Sequence, residues 1–141
     1  MSGRHQLWSI HICGDYKVTI NRDMDVDQYL LLTPQDLLSA LAGGEQFTKL
    51  DLKHAYQQFN LHPESKKFLI INTHKGLFHY HRLPFGVASA PAIFQSTMDQ
   101  ILQGIPEVVC YIEDILITAP TQEEHLKVLE AVLQCLSKYG V

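Results

Sequence analysis

Apolar residues along the chain form short strand-like runs that are separated by turns and by helical stretches. Two hairpins are predicted. In the first, apolar runs over 68–72 and 77–82 flank a Thr-His-Lys-Gly turn, and in the second, the runs over 108–112 and 115–118 flank Glu113 and Asp114. Further strands are predicted over 10–20, interrupted at Gly14 and Asp15, and over 47–52.

Three helices are predicted from capping residues and from apolar residues at helical spacing. They begin after Thr33, at Ser89 and after Thr121, and they end near Gly43, Gly104 and Gly140. Thr121 and Glu124 have the spacing of a capping box, and the four leucines that follow at 126, 129, 133 and 136 share one helical face. Hairpins and helices are interspersed without regular alternation, so the predicted fold class is α+β.

Composition excludes several classes of protein. The 141 residues are 46% hydrophobic and 18% charged, which excludes a disordered tail, a collagen-like fibre and a charge-rich coiled coil. The three cysteines include no CxxC pair, which argues against a disulfide framework and a zinc motif. No signal peptide and no apolar run of membrane-spanning length is present, so an intracellular location, cytoplasmic or nuclear, is expected without a membrane partner.

The distribution of charge changes what the net charge implies. A net charge of −4 argues against a nucleic-acid partner, because phosphate binding needs Lys and Arg. Residues 47–82, however, hold six basic and two acidic residues, a net charge of +4, together with five of the eight histidines and several aromatic residues. This basic segment is compatible with a nucleic-acid groove, although an ordinary mixed surface also fits it.

Three acidic residues stand out against an apolar background. Glu113 and Asp114 adjoin each other between two apolar strands, and Asp51 lies near the end of a third. Adjacent carboxylates repel each other unless a cation is bound. Carboxylate oxygens are the ligands that Mg²⁺ prefers, and two such ions can clamp the oxygens of a phosphoryl transfer. A solvated turn is the alternative interpretation of these acids.

Three segments together resemble the palm and fingers motifs of a reverse transcriptase. They are TKLDLKHAYQQ (48–58), THKGLFHYHRLPFGVASAPAIFQ (73–95) and VVCYIEDILI (108–117). The chain is most similar to long-terminal-repeat retrotransposons of the gypsy-like group and to retroviral pol polyproteins, from Ile10 to its last residue. The resemblance implies a partial right-hand polymerase fold whose antiparallel palm sheet is backed by helices. Fingers would comprise 1–26 and 59–87, and palm 27–58 and 88–141, all within one domain.

The resemblance also implies roles for individual residues. Catalytic and metal-binding roles, with two Mg²⁺ or Mn²⁺ ions, fall on Asp51, Glu113 and Asp114. Substrate-binding roles fall on Leu52, Tyr56, Phe85, Gly86, Tyr111, Lys17 and His11, and template-binding roles on Ser89, Pro91 and Phe94. Tyr56 matches the aromatic gate that disfavours a 2′-hydroxyl, and a packed core aromatic is the alternative. The implied partners are an RNA or DNA template with its primer, and a dNTP.

Three departures from the family pattern predict weak or absent activity of the isolated chain. The catalytic box reads Tyr-Ile-Glu-Asp, so Glu113 replaces an aspartate and moves the carboxylate outward by one methylene. Near-octahedral Mg²⁺ tolerates such a shift poorly. His11 lies where the family pattern suggests an arginine that grips the triphosphate. The thumb, connection and ribonuclease H regions of a longer polyprotein are not in this sequence, so weak nucleic-acid binding is expected.

Two other functions remain open from the sequence. The chain could be a catalytically decayed or domesticated retroelement fragment that binds nucleic acid or protein without catalysis. A metal site that uses histidines such as His79 and His81 is the least favoured reading, since the sequence has no zinc-type spacing.

Overall fold

The computed structural model describes residues 12–25 and 29–141. In these ranges the helices are α1 (Ile20–Asp23), α2 (Pro34–Ala40), α3 (Pro63–Lys66), α4 (Ala90–Ile101) and α5 (Gln122–Tyr139). The strands are β1 (Gln46–Asp51), β2 (Ile70–Thr73), β3 (Gly76–His79), β4 (Val108–Tyr111) and β5 (Asp114–Ala119). Tyr56–Gln58 forms one 3₁₀ turn. The predicted α+β class is confirmed.

Two antiparallel sheets organise the chain. The larger one has the order β1-β5-β4, so β5 is central and pairs with a distant strand on one side and with its hairpin partner on the other. Its register sets Asp51 opposite Asp114, and Asp114 opposite Tyr111. The smaller sheet is the β2–β3 hairpin, in which Thr73 lies opposite Gly76. Both predicted hairpins are confirmed, although β2 and β3 are shorter than the apolar runs.

The core lies between the larger sheet and the helices α4 and α5. Alternate residues of β5 are completely buried, which is the pattern of a strand that turns one face to a core. The residues that fill this core include Ile115 and Ile117 of β5, Phe94 and Met98 of α4, and Val132 and Leu136 of α5. The antiparallel sheet backed by helices is therefore present as predicted.

Helix caps follow the sequence pattern in part, and Ser89 at the start of α4 makes no side-chain cap bond. The Thr33 side chain accepts a hydrogen bond from the Asp36 N–H, and the Asp36 carboxylate accepts one from the Thr33 N–H, which completes a capping box. At α5 the Thr121 hydroxyl accepts from the Glu124 N–H, but the Glu124 carboxylate accepts from the Thr121 hydroxyl instead of its N–H. The predicted box at α5 is therefore only half formed.

The buried face of α5 differs from the leucine stripe. His125, Val132 and Leu136 are buried, whereas Leu126 and Leu133 are about half exposed. His125 faces the sheet, where its Nε2 lies 2.7 Å from Thr48 Oγ1. The side chains that contact β1 and β5 thus include a histidine that the leucine spacing does not select.

The strand predicted over 10–20 is wrong in the part that the structure describes. Residues 12–16 have no regular structure, and α1 begins at Ile20. The Asp15 carboxylate accepts a 3.2 Å hydrogen bond from the Lys17 N–H, and the Tyr16 carbonyl accepts one from the Thr19 N–H. These local bonds take up backbone groups that a strand would offer to a neighbour, so the segment turns instead of extending.

No helix within the described ranges is long and apolar enough to cross a membrane. The division into fingers and palm segments at 26, 58 and 87 stays a prediction.

Candidate active site

Two of the three predicted catalytic carboxylates lie opposite each other across the larger sheet. Asp51 is the last residue of β1 and pairs in register with Asp114, the first residue of β5. The third, Glu113, lies in the two-residue turn that joins β4 to β5. Its carbonyl accepts a 2.8 Å hydrogen bond from the N–H of Leu52, which ties the end of β1 to this turn. The sheet thereby gathers residues from 51–52 and 113–114.

A lysine shares this face of the sheet with the carboxylates. Lys49 lies two residues before Asp51, so both side chains leave β1 on the same side. Its Nζ lies 2.8 Å from an Asp114 carboxylate oxygen. The pKa of Lys49 is raised, first by this hydrogen bond and also by the negative charges of Asp114 and Asp51, against an opposing effect of burial. Lys49 therefore stays protonated beside the acids.

The turn of the β4–β5 hairpin has an unusual backbone. Ile112 occupies the first turn position with φ of 53°, a left-handed conformation that β-branched residues rarely adopt. Its N–H donates a 2.8 Å hydrogen bond to Oε1 of Gln95 on α4. The Gln95 amide nitrogen in turn donates to the Cys110 carbonyl at 2.8 Å and to Asp99 at 2.9 Å. The completely buried Gln95 side chain thus holds the turn that carries Glu113.

Tyr56 packs in a group of aromatic rings that includes Phe85 and Phe94. Its ring centroid lies 4.9 Å from that of Phe85 and 5.6 Å from that of Phe94. The side chain is 7% exposed. Burial raises the pKa of the Tyr56 hydroxyl, and the negative charge of Glu113 raises it further. The packed-aromatic interpretation of Tyr56 holds, and the gate role stays a prediction.

The 85–88 turn requires glycine at its second position. Gly86 has φ of 99°, and a side chain there would collide with the carbonyl oxygen of Gly14. Asn21 of α1 clamps this turn, since its amide donates to the Gly86 carbonyl at 2.8 Å and accepts from the Ala88 N–H at 2.9 Å. Phe85, the first residue of this turn, is half-buried and its ring contacts that of Tyr56.

The three predicted template-binding residues lie at the start of α4 and mostly in the core. Ser89 is 2% exposed, and its hydroxyl lies 3.2 Å from the Met24 sulfur. Phe94 is completely buried against Tyr56 and Phe59. Pro91 is half-buried. A template role for Ser89 and Phe94 stays a prediction, and with this burial it would act by positioning the helix.

The remaining predicted substrate residues occupy different places. Tyr111 is half buried at the end of β4, opposite Asp114. Lys17 is exposed in the turn after Tyr16, whose ring is buried beneath Gly14. Burial, with a smaller effect of Tyr80, raises the pKa of Tyr16 to about 12. His11 lies outside the described residues.

Much of the basic segment lines a cleft of about 620 Å³. Its walls include Lys53, His54, His79, His81 and Arg82. No acidic side chain of the described residues lines it, so the cleft concentrates positive charge. Lys66 extends it, with Nζ 3.3 Å from a His81 ring nitrogen. Such a surface suits phosphate groups.

The donor chemistry at Asp51, Glu113 and Asp114 fits a divalent cation, because all three offer hard carboxylate oxygens. The Lys49 ammonium on Asp114 also shows that this end of the sheet accepts a cation. Across 12–25 and 29–141, however, no three Asp, Glu, His or Cys side chains lie close enough together to hold a metal ion. That finding also counts against a histidine metal centre at His79 and His81, whose rings lie 5.0 Å apart.

Sequence reasoning missed three residues that shape the site: Lys49, Gln95 and Asn21. The two-residue period of a strand places Lys49 on the same face as Asp51, so its proximity could have been found. Gln95 gives a weaker signal, as a polar residue beside the apolar face of a predicted helix. Asn21 gives none, because it bonds a turn 65 residues away.

Comparison with known proteins agrees with the motifs. The profile of the reverse transcriptase (RNA-dependent DNA polymerase) family matches residues 12–141. The chain is 39% identical over 132 residues to Uncharacterized protein K02A2.6 of Caenorhabditis elegans and 38% identical over 130 residues to the Transposon Tf2-3 polyprotein of Schizosaccharomyces pombe. These alignments cover 93% and 91% of this chain but only 10% of each relative.

Solved structures show the same fold. The foamy viral protease-reverse transcriptase dRH in complex with double-stranded DNA superimposes with a TM-score of 0.81 and 24% identity, over 88% of this chain and 22% of that one. A mutant of the prototype foamy virus protease-reverse transcriptase gives a TM-score of 0.80 and 26% identity, over 88% and 17%. The described fold, its motifs and these matches agree, and the chain belongs to the reverse transcriptase (RNA-dependent DNA polymerase) family, of whose domain it forms a part.

Proposed function

We propose that this chain carries the catalytic carboxylates for template-directed nucleotidyl transfer, in which a primer 3′-hydroxyl attacks the α-phosphate of a dNTP and pyrophosphate leaves. The observation that carries this proposal is the register pair of Asp51 and Asp114, with Glu113 bonded to the end of β1 through the Leu52 N–H. Because Mg²⁺ sites commonly use one or two carboxylates together with substrate phosphates, a three-carboxylate cluster is not required. The paired Asp51 and Asp114, with Glu113 in the adjoining turn, would hold a Mg²⁺ or Mn²⁺ pair that supplies Lewis acidity and neutralises the charge developing on the reacting oxygens.

Other residues of the site would position the nucleotide. Tyr56 and Phe85 pack ring against ring, and such an apolar surface suits the sugar and base of a nucleotide better than its phosphates. Gly86 would let a ligand approach the 85–88 turn closely, because it has no side chain. We assign Tyr56 the role of excluding a 2′-hydroxyl, as the family resemblance implies.

The proposed macromolecular partner is a primer annealed to an RNA or DNA template. One structural neighbour was solved in complex with double-stranded DNA and another, of TM-score 0.80, in complex with an RNA/DNA hybrid. The acid-free cleft at Lys53 and Arg82 supports a phosphate-bearing partner. Since the chain spans about a tenth of its curated relatives, we further propose that it works with other polymerase regions of a longer polyprotein.

Glu113 is expected to limit the rate. Its extra methylene displaces the carboxylate relative to aspartate, and a misplacement of about 1 Å in a reacting geometry costs on the order of 10²-fold. The native chain should therefore extend primers weakly, and Glu113→Asp should extend them faster.

Primer extension on an RNA template with Mg²⁺ or Mn²⁺ tests the proposal. The expected result is slow incorporation by the native chain, more by Glu113→Asp and none by Asp51→Asn. Glu130→Gln on exposed α5 is the matched charge control and should behave as the native chain. The proposal fails if Asp51→Asn still incorporates nucleotides, or if neither the native chain nor Glu113→Asp does.

A binding module without catalysis is the second candidate. It is favoured by the Lys49–Asp114 ion pair, which already occupies one proposed ligand, and by the presence of Glu113. In that case primer–template binding, measured by fluorescence anisotropy, would persist in Asp51→Asn while no variant incorporates nucleotides. The binding module would be excluded if the native chain incorporates nucleotides and Asp51→Asn loses both incorporation and binding.

A further inference from the structure

The ion pair between Lys49 and Asp114 differs from the other salt bridges of the described residues. The other two, Lys67–Glu64 and Lys127–Glu123, link side chains three and four residues apart in sequence on exposed surfaces. Lys49–Asp114 instead crosses between β1 and β5, and Asp114 is only 33% exposed in its side chain. It therefore joins the two strands that carry the proposed ligands.

Lys49 lies where a positive charge reduces the repulsion between Asp51 and Asp114. Asp51 and Asp114 are directly opposed, and like charges directly opposite each other on a sheet are destabilising. Lys49 pairs with Leu116 in the register, one step along the same face, and its ammonium reaches back to Asp114. One positive charge thus offsets part of the repulsion between two acids without any bound ion.

We propose that Lys49 is a built-in counter-cation that competes with a divalent metal ion for Asp114. This inference rests on the proposed function, since it needs the carboxylates to bind metal. A metal ion at Asp114 would lie beside the Lys49 ammonium, which already bonds one oxygen of this carboxylate. Repulsion between the two cations, and their competition for the same negative charge, would weaken the affinity for the ion. When no ion is bound, the lysine would reduce the repulsion between Asp51 and Asp114. Lys49 would then act as a positioning residue through Asp114, without touching substrate.

Titration of the full chain with MnCl₂, followed by the electron paramagnetic resonance signal of free Mn²⁺, tests this inference. Lys49→Met should bind Mn²⁺ about fivefold more tightly than the native chain, a modest factor because the pair is partly exposed. Lys49→Arg keeps the charge and should bind as the native chain does. Lys75→Met, in the β2–β3 turn, removes an equal charge elsewhere and should also leave the affinity unchanged.

The outcomes separate this inference from the proposed function. Equal Mn²⁺ affinity of the native chain and Lys49→Met overturns the counter-cation role and leaves the metal assignment standing. No Mn²⁺ binding by either chain, or binding that persists in an Asp51→Asn, Asp114→Asn double variant, overturns both. Lys49→Gln serves as a second neutral variant, and circular dichroism confirms that each variant folds.

Discussion

Gln95 on α4 accepts a 2.8 Å hydrogen bond from the N–H of Ile112 and so fixes the turn of the β4–β5 hairpin. The same buried side chain donates to the carbonyl of Cys110, on the other side of Tyr111. A helix side chain therefore supplies hydrogen bonds that the hairpin does not make within itself. The strained conformation of Ile112 is tolerated because this contact, together with the surrounding core, leaves the turn little alternative.

Replacement of Gln95 should destabilise the protein markedly. In Gln95→Leu the Ile112 N–H and the Cys110 carbonyl lose their partner, and unsatisfied buried groups of this kind cost about 3 kcal/mol together. Urea unfolding followed by circular dichroism measures the loss. Gln100→Leu, on an exposed position of the same helix, should change the free energy of unfolding by less than about 0.5 kcal/mol. Equal effects of the two substitutions would contradict the role of Gln95 in holding the β4–β5 turn.

Gly86 should tolerate no side chain, for two separable reasons. Gly86→Ala adds the strain of a left-handed backbone and a collision with the Gly14 carbonyl, and we expect it to lower the free energy of unfolding by about 3 kcal/mol. Gly104→Ala isolates the first effect, because Gly104 has φ of 86° with open space around it, and should cost about 1 kcal/mol. If both variants unfold at the same denaturant concentration, the close approach of Gly14 and Gly86 is not significant.

The sequence predicts local features of this fold well. Strand β1, both hairpins and the Thr33 cap all depend on residues within about ten positions of one another, where turn chemistry and alternation are informative. The strand predicted over 10–20 is wrong across 12–20, because its β-branched residues favour a strand whereas the Asp15 side chain forms a turn. Tertiary contacts such as Asn21 with Gly86 lie beyond any local pattern, since nothing near either residue indicates the other.

In the candidate site too, residue identities could be predicted from the sequence, whereas tertiary burial could not. Asp51, Glu113 and Asp114 were identified from motifs, and the sheet register brings Asp51 and Asp114 face to face. The complete burial of Phe94 was not predicted, because a motif records which residue is present and not whether solvent reaches it. Packing of two aromatic rings from elsewhere in the chain decides that burial.

The cysteines should differ sharply in reactivity. Cys13 is exposed, whereas Cys110 is 3% exposed and burial raises its pKa to about 12, with smaller effects of Asp99 and Asp114. Because the thiolate is the nucleophile, iodoacetamide at pH 8 should alkylate Cys13 and leave Cys110 unmodified until urea unfolds the chain. Mass spectrometry of tryptic peptides gives the modified fraction at each site. Rapid native alkylation of Cys110 would contradict its burial.

Stability should fall at alkaline pH. The pKa of Cys110 rises from 9.0 to about 12 on folding and that of Tyr16 from 10.0 to about 12, so the unfolded chain releases these protons first. The unfolded state therefore binds fewer protons between pH 9 and 12, and the free energy of unfolding decreases across that window. Urea unfolding at pH 8 and pH 10 measures the change, and Cys110→Ala should make it smaller. A pH effect unaltered by Cys110→Ala would exclude this thiol as a cause.

The basic cleft should set the salt dependence of nucleic-acid binding. Lys53 lines the cleft and Lys66 adjoins it at His81, so each is placed to neutralise one phosphate. Removing one phosphate-binding charge lowers the slope of log K against log salt by about 0.7 to 0.9, and the double variant Lys53→Gln, Lys66→Gln should lower it by about 1.5. Fluorescence anisotropy of a labelled primer–template between low and moderate NaCl gives the slope. Lys127→Gln with Lys138→Gln removes the same charge from α5, and an equal change there would mean that net charge, and not the cleft, attracts the nucleic acid.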